Sequence, residues 1–305
     1  MCETGTLGVP EFGTGYTIQL VKDTKPTTFA ELVKISGLSH GEGIWLGNAQ
    51  ELIKKNVVPF SKVIGCRDDI MVELIYGGLE PFKAFKIMEF VRKGKASKEP
   101  EAWLDHKKLM QDAKIPDWFI DSCQKIKYMF PKAHAAAYVM SAYRIAWYKV
   151  HKPEIYYTTY FSTRFDDFDI EAMLGGYDAI KKKIIEITGK GFDATNKEQS
   201  VLKTLKIALE ATARGYKFGN IDIEKSDSKN FILADDNKTM ICPFRTLDGL
   251  GAEVSKTIVE ARNKKPFISI EDLQLRGKVS STTIEKLRQL HTLDGLPETS
   301  QLSLF

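Results

Sequence analysis

The sequence predicts a mainly α fold, a long multi-helical region followed by a small α+β unit, and three observations predict it. The run after Pro131 carries no Gly or Pro until Pro153 and is rich in good helix formers. Glycines punctuate helix-length segments on either side of it, at Gly37, Gly77-Gly78, Gly189 and Gly215. Only residues 221–241 alternate apolar and polar positions in short pieces, broken by Asp235-Asp236-Asn237, which is the pattern of a small β-hairpin.

Each element follows in order. Residues 1–20 are Gly-rich around Pro10 and read as extended. Thr27 or Thr28 caps a helix through Ile35 that stops at Gly37, and Gly41, Gly43 and Gly47 form a loop around Trp45. A short helix over 50–57 comes next. Asp68 or Asp69 then caps a helix over 70–76. Two adjacent carboxylates suggest a metal pair, but at a helix start they point about 100° apart, so capping is the better reading.

Pro81 opens a helix to about Lys93, with Ala84, Phe85, Ile87, Met88 and Val91 as its buried face. Lys83, Lys86, Phe90 and Lys93 share another side. That stripe is either a solvated face or, with its aromatic, a strand-tracking surface. Residues 94–110 read as a charged surface linker running into a helix, and Pro116-Asp117 starts the next one. The central run is apolar over most of its circumference (Tyr138, Met140, Tyr143, Ile145, Ala146, Trp147), as in a buried helix. Residues 154–165 are dense in Tyr, Phe and Thr and fit helix or strand. Helices over 169–188 and 196–214 precede the hairpin.

Composition bounds the function. At 305 residues with 43% hydrophobic side chains the chain can fill two or three domains. Lys+Arg 44 against Asp+Glu 40 leaves a net charge of only +4, so any nucleic-acid contact must come from local clusters. Cys2, Cys66, Cys123 and Cys242 are scattered without zinc-like spacing, as reduced thiols of a cytoplasmic protein would be. No apolar run approaches the roughly 20 residues of a membrane span, and no secretory signal pattern opens the chain.

Three motifs carry chemistry. Lys132 and His134 lie at the first turn of the central helix, where free N–H groups and the helix dipole favour an anion. On the residues alone, an ordinary core helix is the simpler reading. Leu247-Asp248-Gly249-Leu250-Gly251 before a helix over 252–262 has the form of a helix-hairpin-helix. Gly249 and Gly251 there let the backbone meet a phosphate, Lys256 is within reach of the same strand, and a second helical unit follows over 280–291. The end of the chain, after Pro297-Glu298-Thr299-Ser300, is Gln301-Leu302-Ser303-Leu304-Phe305, apolar side chains of the kind that anchor in a partner or fold back on their own domain.

The stretch PKAHAAAYVMSAYRIAWYKVHKP, together with TGTLGVPEFGTG, SGLSHGEGIWLGNAQ, VIGCRDDIM and QLSLF, closely resembles bacterial replicative polymerases of the PolC-type DNA polymerase III alpha family. The likeness runs in order over nearly the whole chain. It implies polymerase fingers over 1–165, a helical connecting region over 166–218, and a small hairpin plus helix-hairpin-helix DNA-binding region over 219–296. A flexible tail with a sliding-clamp-binding motif would follow over 297–305.

In that likeness Arg67, Lys83, Lys86, Lys132 and His134 hold the phosphates of an incoming dNTP, and Tyr138 and Ser141 border the nucleotide or simply pack. Gly249, Gly251 and Lys256 bind DNA, and Gln301, Leu302, Leu304 and Phe305 bind the clamp. The family's catalytic palm, with the carboxylates that hold Mg2+, lies upstream. No catalytic or metal-binding residue is expected here, and the chain alone would be inactive. Implied partners are the template-primer, dNTP, the sliding clamp and other replisome subunits. A DNA-binding adaptor that recruits a clamp, and an independent nucleotide enzyme using Asp68 and Asp69 for metal, are the rival readings.

Overall fold

Local caps decide where the helices begin in the computed structural model, which describes residues 3–300. Contacts divide the chain into two units between Ala146 and Trp147. The first unit carries α1 (Gly15–Thr24), α2 (Phe29–His40), α3 (Gln50–Lys54), α4 (Arg67–Tyr76) and α5 (Pro81–Arg92). It continues with α6 (Lys95–Lys98), α7 (Pro100–Asp112), α8 (Asp117–Lys125) and the start of α9 (Lys132–His151). Thr28 and Glu31 form a reciprocal capping box on α2: the Thr28 hydroxyl accepts the Glu31 N–H (3.2 Å) and the Glu31 carboxylate accepts the Thr28 N–H (3.0 Å). Pro81 occupies the first position of α5 as expected, and the Glu80 carboxylate accepts the N–H groups of Phe82 and Lys83.

Several expectations for this unit need correction. Residues 1–20 are not extended throughout, because the Thr14 hydroxyl accepts the Thr17 N–H and starts α1 at Gly15. Gly37 does not stop α2, which runs on to His40. A Cβ at Gly37 would lie 2.4 Å from the Gly65 carbonyl oxygen, so the glycine is there for close approach to the turn before α4. Residues 94–110 are not a linker but helical, because Trp103 and Met110 sit two turns apart on α7 and both are buried. Phe85 faces solvent. Finally, α9 is not buried all round: in this unit it buries only small or β-branched residues, Ala135, Val139 and Ala142, while Tyr138 and Tyr143 are about half exposed (49% and 54%).

The second unit, after the rest of α9, carries α10 (Pro153–Ser162), α11 (Ile170–Leu174), α12 (Gly176–Gly189) and α13 (Asn196–Ala213). Then come β1 (Lys217–Gly219), β2 (Ile232–Leu233), β3 (Thr239–Ile241), α14 (Ala252–Lys264), α15 (Ile270–Gly277) and α16 (Ser281–Gln289). The expected hairpin is the antiparallel pair of β2 and β3, which turns at Asp236, whose carboxylate accepts the N–H groups of Lys238 and Thr239. A third strand joins it, β1, parallel to β3 in the order β1-β3-β2. The aromatic segment after Pro153 is helical. It places Phe161 against Phe218 (4.9 Å between ring centroids, edge on), and Phe168 packs on Phe218 and Phe231 to complete an aromatic core.

One polar network is built into this core. The Lys149 ammonium sits 2.8 Å from the Glu210 carboxylate, Tyr157 donates its hydroxyl to the same group (2.6 Å), and Arg214 donates to the Tyr157 oxygen and the Lys149 carbonyl. Burial and the Glu210 charge push the Tyr157 hydroxyl up, which keeps it a donor. The described cysteines Cys66, Cys123 and Cys242 are buried free thiols. Removing one member of a buried ion pair costs about 3–5 kcal/mol. Glu210→Leu is therefore expected to lower stability in urea by about that much, and adding Lys149→Met is expected to restore a large part of the loss.

Candidate functional site

Two helix starts meet in the first unit. α4 begins at Arg67 and α9 at Lys132, and the Arg67 N–H donates to the Phe130 carbonyl (3.1 Å) just ahead of α9. The two aspartates expected to cap α4 divide the work. Asp69 closes the α4 box, with its carboxylate accepting the N–H groups of Gly65 (3.0 Å) and Cys66 (3.1 Å). Asp68 reaches 64 residues along the chain and accepts the N–H of Lys132 (2.6 Å), so it caps α9 instead. Lys132 sends its ammonium to Asp69 (3.3 Å) and stays 54% exposed. Beside them the Cys66 thiol is pushed up to about 12, by burial first and by the two carboxylates next.

His134, in the first turn of α9, is exposed and stacked. Its ring lies nearly parallel to Phe130 (5.2 Å) and tilted on Tyr138 (4.6 Å). These three rings line a cavity of about 220 Å³ with Ser36, Glu11 and His40. His40 meets the Glu11 carboxylate at 2.9 Å and the Ser36 carbonyl through its other nitrogen, which ties the Gly-rich N-terminal segment to α2.

The remaining cations are distributed over α4 and α5. Arg67 lies 3.8 Å from Glu89, and that carboxylate also holds Arg92 and Lys93. Hydrogen bonds from Arg92 and then Lys93 draw the Glu89 carboxyl down to about 2. Lys83 and Lys86 are exposed, with the Lys86 ammonium over the Phe82 ring (4.6 Å). Phe90 is not presented with them, since it packs on Trp103 and His106.

In the second unit the hairpin of residues 247–251 is built as its glycines predict. Gly249 takes φ +88°, a conformation L side chains rarely adopt, and Gly251 starts α14 with no side-chain cap. Leu247 and Leu250 are buried beneath it, so the backbone faces outward. Lys256 is exposed, 3.4 Å from Glu253. Local spacing did not find Lys286, which comes from α16 and donates to the Asp248 carbonyl (2.7 Å). Downstream, Pro297 and Glu298 accept the N–H groups of Ile270 and Glu271 at the start of α15. Gln301, Leu302, Leu304 and Phe305 lie outside the described residues. Among the described residues no group of three or more His, Cys, Asp or Glu side chains could hold a metal, and no helix is long and apolar enough to cross a membrane.

Comparison with known proteins finds matches in both units. Residues 1–114 match the family model "Bacterial DNA polymerase III alpha subunit finger domain", and residues 215–302 match "Helix-hairpin-helix motif". Among curated proteins, DNA polymerase III PolC-type of Bacillus subtilis is 56% identical over 304 residues, covering 100% of this chain and 21% of that protein. The Lacticaseibacillus paracasei polymerase of the same name is 55% identical over 301 residues (99% and 20%), and that of Halalkalibacterium halodurans is 54% identical over 305 residues. The chain thus spans about a fifth of the curated relatives it matches, in their C-terminal region.

The depressed Glu89 carboxyl sets a pH dependence. Its value lies below the roughly 4.3 of an unfolded glutamate, so its stabilisation is full above that pH and is lost as pH falls toward about 2. Urea midpoints measured between pH 5 and pH 2 are expected to fall more steeply for the native sequence than for Glu89→Gln.

Proposed function

We propose that this chain, the C-terminal stretch of a PolC-type DNA polymerase III, holds the triphosphate of an incoming dNTP at the start of α9 and the template-primer at the 247–251 hairpin. The convergence of the α4 and α9 starts carries the reading: the two starts are tied together through Asp68, and the Lys132 ammonium is exposed beside them at the positive end of α9. Lys132 and His134 face the nucleotide phosphates directly. Arg67, Lys83 and Lys86 supply further positive charge from α4 and α5.

Phosphoryl transfer needs metal ions and in-line geometry as well as charge neutralisation. Asp68 and Asp69 are engaged by backbone N–H groups and by Lys132, so they do not fit a metal pair. We therefore assign Mg2+ and the catalytic carboxylates to another part of the polymerase. This chain alone is then expected to be inactive in primer extension.

At the hairpin, the left-handed Gly249, the uncapped N–H groups at Gly251 and the exposed Lys256 suit a DNA phosphate, a contact that reads backbone and not sequence. Gln301, Leu302, Leu304 and Phe305 would dock on a sliding clamp, with the two last residues as apolar anchors and other replisome subunits assembled nearby. A cytoplasmic location follows from that role. The adaptor reading shares the hairpin and the tail but gives the α9 start no task.

Lys132→Ala in a full-length polymerase is expected to raise the KM for dNTP roughly ten-fold or more, the size of one charge-assisted contact. Unchanged nucleotide dependence would remove that role and favour the adaptor. Lys256→Gln is expected to lower the salt slope of DNA binding by about 1 in the same polymerase. Loss of clamp capture on Leu304→Ala or Phe305→Ala tests the tail.

A further inference from the structure

We infer that Asp68 and Asp69 act as an internal stand-in for phosphate, holding the start of α9 and Lys132 until a nucleotide displaces them. The inference rests on the triphosphate reading above and specifies how that site behaves while empty. A phosphate oxygen at a helix start takes two kinds of partner, a backbone N–H and a nearby cation. Here carboxylate oxygens already take both: Asp68 accepts the Lys132 N–H at 2.6 Å, and Asp69 faces the Lys132 ammonium at 3.3 Å. An arriving phosphate competes with these carboxylates for the same positive field.

The arrangement lets Lys132 leave without stranding Asp69. The other Asp69 oxygen keeps the N–H groups of Gly65 and Cys66 and faces the Lys34 ammonium at 3.6 Å. Lys34 is the fixed cation of the pair. Its side chain is 13% exposed, and the Val63 carbonyl holds it at 2.6 Å. Lys132 is the free one, more than half exposed, and an exposed ion pair of this kind is weak. A cavity of about 330 Å³ beside the pair, lined by Lys34, Asp69, Lys132, Cys66 and Ser61, gives the ammonium room to move. The carboxylates thereby set a threshold, which a multivalent triphosphate passes and a monovalent anion does not.

The test measures KM for dNTP and kcat in a full-length PolC-type polymerase. Asp69→Asn keeps the shape and removes the charge. It is expected to lower KM roughly two- to five-fold, as release of one exposed ion pair would, with a smaller change in kcat. The fall is expected to vanish when Lys132→Ala is already present, because the effect runs through that ammonium. Asp68→Asn retains an oxygen for the Lys132 N–H and is expected to shift KM in the same direction by less, and it serves as the variant should Asp69→Asn fail to fold. If Lys132→Ala raises KM while both asparagine variants leave it unchanged or raise it, the stand-in is overturned and the triphosphate reading stands. If Lys132→Ala has no effect on KM, both fall together.

Discussion

A single carboxylate-to-amide hydrogen bond, from the Lys132 N–H to Asp68, fixes where the longest helix of the chain begins. A helix start leaves N–H groups unpaired, and a capping carboxylate satisfies one while the dipole favours its charge. Most caps come from the residue just before the helix. This one comes from the first turn of another helix, so α4 cannot move without disturbing α9. The Arg67 N–H on the Phe130 carbonyl adds a second tie, and the bare backbone at Gly37 lets α2 pack against the same turn. Three helices therefore share one short loop.

The second unit is held by different means. Its aromatic cluster of Phe161, Phe168, Phe218 and Phe231 stabilises it by burial, each such side chain contributing about 1.5–3 kcal/mol. The Lys149–Glu210 pair lies in the same region, but desolvation offsets much of its attraction, so its net contribution is small. What the pair does is select. Lys149, Tyr157, Glu210 and Arg214 satisfy one another in a single arrangement of the end of α9 with α10 and α13, and an alternative packing would leave a charge bare. The sheet and the 247–251 hairpin follow immediately in the chain.

Local signals were legible in the sequence and distant ones were not. Thr28 with Glu31, Pro81, and the glycines of the hairpin each act within a few residues, and each helix start or turn appears where its own residues put it. Neither aspartate is the N-cap of α4: the helix starts three residues earlier than expected, at Arg67 after Cys66, Asp69 reaches back from its first turn to the Cys66 N–H, and Asp68 finds a partner 64 positions away, which no spacing rule encodes. Lys286 beside the hairpin was missed for the same reason. The exposure of Tyr138 and Tyr143 was missed because apolar residues all around a helix imply burial on every side. Gly37 misled differently: a glycine needed for contact between two backbones carries the same letter as a glycine that ends a helix. The mainly α class and the small sheet after α13 survive these errors because each depends on many residues at once.

The buried thiols make each unit report on its own opening. Burial keeps Cys66 and Cys123 in the first unit, and Cys242 in the second, protonated well above neutral pH, and a protonated, covered sulfur does not attack an alkylating reagent. Each becomes reactive only when the surrounding helices separate, so the labelling rate at a given cysteine is a clock for local unfolding at that place. Nucleotide occupying the α9 start would slow the Cys66 clock and leave Cys242 ticking at its own pace.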